Sequence, residues 1–493
     1  MGRGILPLSI FIWEIEVTKH RIGVVLYGTP KKSHRHEDRI SGLELWQASY
    51  VEKLANADFD LFEYYFESGS AYTLKVVNDR QFVVTIPPES NFFYFQSEAN
   101  KHDLIYPVQA AHLEKVMVDT FSSHKIDAIF VINWIVPGMA IWQALLTYNK
   151  RVFFTPTEHS LICHMGFLLE ADGKTCGGPG DGTKCHRCTH GDISARPLLL
   201  TQPWYSERWR QFYSWNRFLP TAMKSRFAIF MAKLVKPKSS LLSENEGSAR
   251  IESVKRLLDF EKLTVLYQSE RQHKVFERAV GKSLPVDLPM VITENRQLYY
   301  DRDQDFRAQA KKLVFMFAAR SSYDRGLSLL LEAWKLWAPC KNDASLVIRT
   351  GDLPANIRKE LSFLEKDFDV DVATGQMTDK VLSAEFHRTH FLVNPTLWEE
   401  PLAGSVIEGF SIGVPAIVPS RTGSSSFVVQ GENGYIFEFG SAESLANCMR
   451  TAMERGRKHW LEMSNASFRS SNTYKNAVEK QFDEMESLIE SSP

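Results

Sequence analysis

The sequence predicts an α/β protein of two doubly wound domains, each a largely parallel sheet covered by helices. Three observations carry that expectation. Short β-prone runs alternate with amphipathic helical patterns along nearly the whole chain. Most of these runs are continuously apolar, as parallel strands buried on both faces require. The alternation falls into two blocks, separated by a polar, strand-poor stretch around 296–311. A chain of 493 residues is also too long for one core and fits two or three domains.

In the first block the strand candidates are 21–28, 61–66, 82–87, 126–132, 151–156, 263–268 and 289–293. In the second they are 312–319, 344–351, 369–375, 390–396 and 415–420. Helical patterns such as GLSLLLEAWKLWA (326–338) and SAESLANCMRTAMER (441–455) lie between them. The expected division is an N-terminal domain over 1–300, a C-terminal domain over 301–475, and a last helix over 476–493 packing back on the first domain. Two such sheets facing each other leave a cleft beyond the carboxyl ends of their strands, where ligands of open α/β sheets bind.

Composition narrows the function classes. An apolar fraction of 44% and a charged fraction of 24% are those of an ordinary globular protein. The formal charge of −1 excludes a globally basic nucleic-acid binder. The apolar run from Ile5 to Trp13 is too short to span a bilayer, and Glu14 and Glu16 follow it at once. No other run reaches membrane-helix length. The expected location is cytoplasmic, or peripheral on the inner face of a membrane.

The chemistry gathers at strand ends of the second block. In KLVFMFAARSSYDRGLSLLLEAW a strand ends in a turn carrying Arg320 and Arg325, and a helix follows from Gly326. Two guanidiniums at a strand end suit a diphosphate, since each binds oxygen pairs bidentately. After the strand HFLVNPT comes WEEPLAGSVIEGF, with a helix expected to begin near Leu402 or Ala403. Ala403, Gly404 and Ser405 leave its first amides open, and a helix start attracts phosphate. Glu408, a turn and a half in, could accept hydrogen bonds from ribose hydroxyls, while Glu400 faces the other end of the ligand. The plain alternative is a solvated Glu408 on an amphipathic helix and surface arginines near a helix start. The ensemble favours a sugar–diphosphate–nucleoside.

Region 312–450 resembles the nucleotide-sugar domain of the retaining glycosyltransferase family four, of the two-Rossmann GT-B architecture. The residues that carry the likeness are Ala319-Arg320-Ser321, Arg325-Gly326, Glu400-Pro401-Leu402-Ala403 with Glu408 in Glu-x7-Glu spacing, Ser411 to Ala416, and SRTGSSSFVVQGENGYIFEFG. Arg325 stands where the family usually has Lys, and Ala403 where it has Gly, so the loop must keep φ negative there. In the first block Ser41-Gly42-Leu43-Glu44 is similar to the family's Gly-Gly-x-Glu loop near the donor phosphates. Thr157-Glu158-His159-Ser160 is similar to its His-Asp strand end, with Ser160 in place of Asp. The resemblance implies that Arg320 and Arg325 hold the diphosphate, Glu408 the ribose and Glu400 the transferred sugar. It places His159 beside the reacting centre and Gly42 on the donor side.

Two segments stand apart. The Cys-rich loop 161–192 holds Cys163, Cys176, Cys185 and Cys188, a set that suits a structural zinc, with His164, His186 and His190 as spare ligands. Free thiols and two disulfides are the alternatives. A subset of the resembling family carries similar cysteines. Segment 203–238 has three Trp and eight Lys or Arg but only Glu207 acidic, which fits either a membrane-surface stretch or a core-packed helical hairpin.

The expected activity is retaining transfer of a hexose-type sugar from a nucleoside diphosphate sugar to a glycan or lipid-linked glycan, as in surface polysaccharide assembly. The chemistry then needs no cofactor, and Asp301-Arg302-Asp303 lies in the polar linker rather than at a strand end. The alternatives are a sugar-nucleotide epimerase of the same architecture and a non-catalytic, zinc-stabilised binding module.

Overall fold

The computed structural model describes residues 19–27, 42–56, 59–68, 73–86, 108–132, 139–163, 244–285, 310–375 and 379–490, with Arg307 and short pieces between 167 and 185. The N-terminal residues 1–18, segment 203–238, the strand expected at 289–293 and Cys188 lie outside the described residues.

The N-terminal domain is one sheet of seven strands. They are β1 (Arg21–Tyr27), β2 (Asp60–Ser68), β3 (Thr73–Val76), β4 (Gln81–Ile86), β5 (Ala128–Val131), β6 (Arg151–Phe154) and β7 (Leu263–Val265). Their order is β3-β4-β2-β1-β5-β6-β7, parallel throughout except for the β3–β4 pair. The described helices around it are α1 (Gly42–Asn56), α2 (Val108–Ser123), α3 (Met139–Tyr148), α4 (Glu244–Leu258) and α5 (Glu270–Val280). The pleat sends alternate residues to opposite cores. Val25, Phe62, Tyr64 and Ile129 join one apolar cluster, and Val24, Leu26, Tyr65 and Phe130 the other. Continuous apolar strands are the sequence cost of covering both faces.

The C-terminal domain repeats the plan with six parallel strands: β8 (Leu313–Ala318), β9 (Ala344–Thr350), β10 (Val370–Thr374), β11 (Phe391–Val393), β12 (Ala416–Pro419) and β13 (Gly434–Phe437). Their order is β10-β9-β8-β11-β12-β13. The helices are α6 (Leu327–Trp337), α7 (Ala355–Asp367), α8 (Asp379–Arg388), α9 (Gly404–Ser411) and α10 (Ala442–Glu490). Phe315 and Phe317 face one cluster and Met316 the other. Each fully buried side chain of this size contributes roughly 1.5–3 kcal/mol of transfer free energy, so two continuous layers hold the sheet.

The sequence-based expectation and the structure differ in two places: the hairpin strand β3 and the short edge strand β13 are additions. The helix expected over 441–455 does end at Gly456, whose φ 70° and ψ −175° are non-helical, and α10 is two helices joined by that kink, the second continuing to Glu490. Its far end leaves the C-terminal domain: Met485 and Ile489 lie in the cluster of Ile22, Val24 and Leu26, and Phe482 packs against Tyr50.

Candidate functional site

The C-terminal sheet has one topological switch point. From β8 the chain builds outward through β9 and β10, then returns to β11 on the other side of β8. The loops leaving β8 and β11 therefore diverge over a crevice, the place where ligands of such sheets bind. The first loop carries Arg320 and Arg325, the second Glu400.

These two loops are interlocked by backbone. The carbonyl of Asp324 accepts from Leu397 N at 2.8 Å and from Thr396 Oγ1 at 2.9 Å. Gly326 sits at φ 72°, and a Cβ there would stand 1.9 Å from the carbonyl oxygen of Pro395. Positive φ and close approach both demand glycine. That contact brings the Arg325 turn (Tyr323–Arg325) against the Glu400 loop.

The charges then pair across the crevice. Arg325 Nη1 donates to Glu400 Oε1, and Arg325 Nε stands 3.2 Å from Asp324 Oδ2. Asn394 Nδ2 donates to Glu400 Oε2 at 3.2 Å. The Arg325 guanidinium also lies 5.7 Å from the Trp398 ring centroid. Burial works against the Arg325 cation, but Glu400 and Asp324 more than offset it, so its pKa stands above the ordinary arginine value. Arg320 is exposed, and desolvation of its head followed by the Arg325 cation lowers its pKa while leaving it charged. Two like charges held this close are stabilised by an anion between them.

Helix α9 supplies the third part. Its N-cap Ala403 has φ −86° and ψ 112°, an extended conformation any residue adopts, so alanine is tolerated at the position where glycine was expected. No side chain caps the helix, and its first turn has no acidic residue. Ala403 N donates to Ser424 Oγ at 3.1 Å, whereas Gly404 and Ser405 follow it at the open start, and a Cβ on Gly404 would meet nothing within 4 Å. Glu408 is half-buried in the second turn, and its carbonyl accepts from Ser411 Oγ at 2.7 Å.

His159 comes from the N-terminal domain, in the loop after β6. It is fully buried, and Nε2 lies 2.6 Å from the carbonyl oxygen of Glu399. A carbonyl only accepts, so Nε2 carries the hydrogen and Nδ1 keeps a lone pair. Nδ1 is buried with no hydrogen-bond partner. Trp398 packs edge-on at 5.9 Å between ring centroids. Desolvation lowers the His159 pKa to about 4 despite the Glu399 carbonyl and carboxylate, so the ring is neutral. The structure thus joins His159 and Glu400 through the backbone of Glu399.

Gly42 opens α1, and residues 28–41, which would link it to β1, lie outside the described residues. Cys163 and Cys176 abut the same apolar cluster. Among the described residues no group of three or more His, Cys, Asp or Glu is placed to hold a metal ion. No described helix is long and apolar enough to cross a membrane.

With this geometry in place the family comparison bears on about a third of the chain. Residues 301–468 match the family described as Glycosyl transferases group 1. The C-terminal domain is a glycosyltransferase group 1 domain. Lipopolysaccharide 1,2-N-acetylglucosaminetransferase of Salmonella typhimurium is 27% identical over 158 residues, covering 30% of this chain and 41% of that protein. The chain therefore spans about two fifths of the length of this curated relative. Sucrose-phosphate synthase from Thermosynechococcus elongatus superposes with a TM-score of 0.58 at 12% identity, over 96% of this chain and 100% of that one. HepE of Anabaena, solved with UDP, gives 0.54 at 12% identity, over 95% and 100%. A glycosyltransferase from Rickettsia africae gives 0.54 at 10%, over 96% and 100%. The shared fold is GT-B, with two Rossmann-like domains.

Three residues around the group 1 site were not singled out from sequence. Asn394 and Asp324 orient Glu400 and Arg325, and Glu399 binds arginines far off in the chain. The Glu399-Glu400 doublet was the visible signal, because two adjacent carboxylates on a turn must face different partners.

Proposed function

We propose that this protein is a retaining glycosyltransferase that moves a hexose-type sugar from a nucleoside diphosphate sugar to a glycan or lipid-linked glycan in surface polysaccharide synthesis. The observation that carries the reading is the convergence of Arg320, Arg325, Glu400 and the uncapped start of α9 on one switch point. The Salmonella relative, named for transfer of N-acetylglucosamine in lipopolysaccharide, and the HepE complex support UDP as the first nucleotide to try.

In this reading the diphosphate lies between the two arginines and the amides of Gly404 and Ser405, and Glu408 accepts from the ribose hydroxyls. A guanidinium has five donors, so Arg325 can hold Glu400 through Nη1, stay ion-paired with Asp324, and still offer Nη2 to a phosphate oxygen. As the bond from the anomeric carbon to the diphosphate breaks, negative charge grows on the leaving oxygens. Arg320, Arg325 and the helix start stabilise it, with no divalent metal assigned to the chemistry. Glu400, restrained by Arg325 and Asn394, orients the sugar through its hydroxyls and is not assigned as nucleophile. His159, neutral and buried, holds the loop that carries Glu400, and its Nδ1, which has no hydrogen-bond partner among the described residues, is assigned to the reacting centre.

A structural zinc on Cys163, Cys176, Cys185 and Cys188 would suit a closed tetrahedral site of four thiolates, but it needs Cys163, Cys176 and Cys185, which form no metal-holding group among the described residues, to draw together with Cys188. One zinc per purified chain, lost in Cys185→Ser, is the expected metal analysis; zinc-free protein of unchanged stability would remove it. Peripheral membrane attachment through 203–238 is tested by flotation with anionic vesicles. For the activity itself, the protein is incubated with UDP-sugars and glycan acceptors and the products analysed by mass spectrometry. A transferred sugar with its anomeric configuration kept is expected. An isomerised donor formed without acceptor would replace the transferase by an epimerase.

A further inference from the structure

Glu399 and Glu400 are neighbours, yet their carboxylates belong to different halves of the molecule. Glu400 faces the donor site. The Glu399 side chain has no solvent exposure and meets three guanidiniums: Arg278 Nη2 at 2.7 Å, Arg271 Nη2 at 3.6 Å, and Arg421 Nη2 in closer contact. Arg271 and Arg278 stand on α5 of the N-terminal domain, while Arg421 follows β12 of the C-terminal domain. A carboxylate fully removed from water persists as an anion only where such partners replace its hydration.

The backbone of the same turn is held from both sides as well. The Glu399 carbonyl accepts from His159, the Glu400 carbonyl from Gly423 N at 2.8 Å, and the Pro401 carbonyl from Ser269 Oγ at 2.7 Å. Gly423 allows this approach, since a Cβ there would stand 1.4 Å from the Pro401 carbonyl oxygen. Three successive carbonyls are thus bound alternately by N-terminal, C-terminal and N-terminal groups. Residues 398–401 cannot turn without breaking buried bonds to both domains.

We propose that Glu399 is a positioning residue: clasped by Arg271 and Arg278 across the domain boundary, it locks the 398–401 turn and so sets the Glu400 carboxylate against the donor sugar. The clasp makes the orientation of Glu400 conditional on the two domains being docked. It rests on the reading of Glu400 as the sugar-orienting group, and it predicts a defect in turnover rather than in nucleotide affinity, because Arg320, Arg325 and α9 lie within one domain.

The test compares wild type, Glu399→Gln, Arg278→Gln and the double variant in two measurements. In hydrogen–deuterium exchange, the amides of Glu400, Leu402, Ala403, Gly404 and Gly423 are expected to exchange at least tenfold faster in each variant, with β8 to β13 unchanged. Unchanged exchange there would overturn the clasp whatever the enzyme does. In turnover of UDP-N-acetylglucosamine and UDP-glucose, kcat is expected to fall tenfold or more while the Kd of UDP moves less than threefold, and the double variant should be no slower than the worse single one. Faster exchange with unchanged kcat would overturn the positioning role. A purely structural role would instead lower thermal stability and the active fraction, with kcat per active site intact and losses adding in the double variant. Absence of any turnover in wild type would count against the glycosyltransferase reading, and the exchange result would still decide the clasp.

Discussion

Two helix starts meet at Pro401 and are built in opposite ways. Helix α5 is closed: Ser269 accepts from Gln272 N, Glu270 adds negative charge to the first turn, and Gly281 ends the helix in the left-handed conformation. Helix α9 is open: Ala403 offers no capping atom and the first turn carries no acid. The two starts are linked by the bond from Ser269 Oγ to the Pro401 carbonyl, two residues before the N-cap of α9. An N-cap is worth about 0.5–2 kcal/mol, so leaving α9 without one costs stability that only a ligand recovers. The difference separates a helix with a closed start from one whose open start is assigned, in the proposed function, to an anion.

Removing the Arg320 cation should show the largest effect. Arg320→Ala is expected to lower sugar-transfer kcat by about 10²–10³-fold, the range for one group that stabilises leaving-group charge. Arg320 is exposed, so thermal unfolding should hold within about 0.5 kcal/mol. Equal turnover would place the anion elsewhere.

At the closed side, His159 provides a pH signature. Its folded pKa of about 4 lies below the unfolded value of 6.5, so the unfolded chain takes up the proton first. Stability contributed by the neutral ring is complete above pH 6.5 and falls as pH drops toward 4, by up to about 1.4 kcal/mol per unit. His159→Gln should flatten that segment in denaturant titrations from pH 4 to 7. An unchanged slope would mean that the ring is solvated.

Closing the open helix sharpens the contrast further. Ala403→Ser supplies a hydroxyl cap, expected to raise unfolding stability by about 0.5–1 kcal/mol while weakening UDP roughly tenfold. Opening the closed one should do the reverse: Ser269→Ala costs about 1 kcal/mol of stability and leaves the Kd of UDP within twofold. If both changes alter affinity alike, the two starts are not functionally distinct.

The proposed donor side could be assembled from sequence because its groups lie in contiguous stretches at strand ends. Arg320 and Arg325 share one turn, and Glu400, Ala403, Gly404, Ser405 and Glu408 share one loop and helix. What escaped was the pairing between stretches. Asp324 reads as a surface acid until its carbonyl is seen bonded to Thr396 and Leu397. Glu399 reads as half of a doublet, since its partners Arg278 and Arg421 lie 121 and 22 residues away. In the fold, β3 was missed because its four residues are all exposed and carry no buried pattern. The break after 455 was legible because the helical pattern ends at Gly456, which is non-helical, while Trp460, Met463 and then Met485 supply the buried apolar residues of the second helix.

The central claim is that the strand ends of β8 and β11, with the open start of α9, bind a nucleoside diphosphate. Calorimetric titration of UDP, and of GDP and ADP beside it, into wild type and Glu408→Ala tests it most directly. The account predicts saturable one-to-one binding of at least one nucleotide by wild type, weakened about tenfold or more in the variant. Binding of none of the three, or equal binding by both proteins, would contradict it.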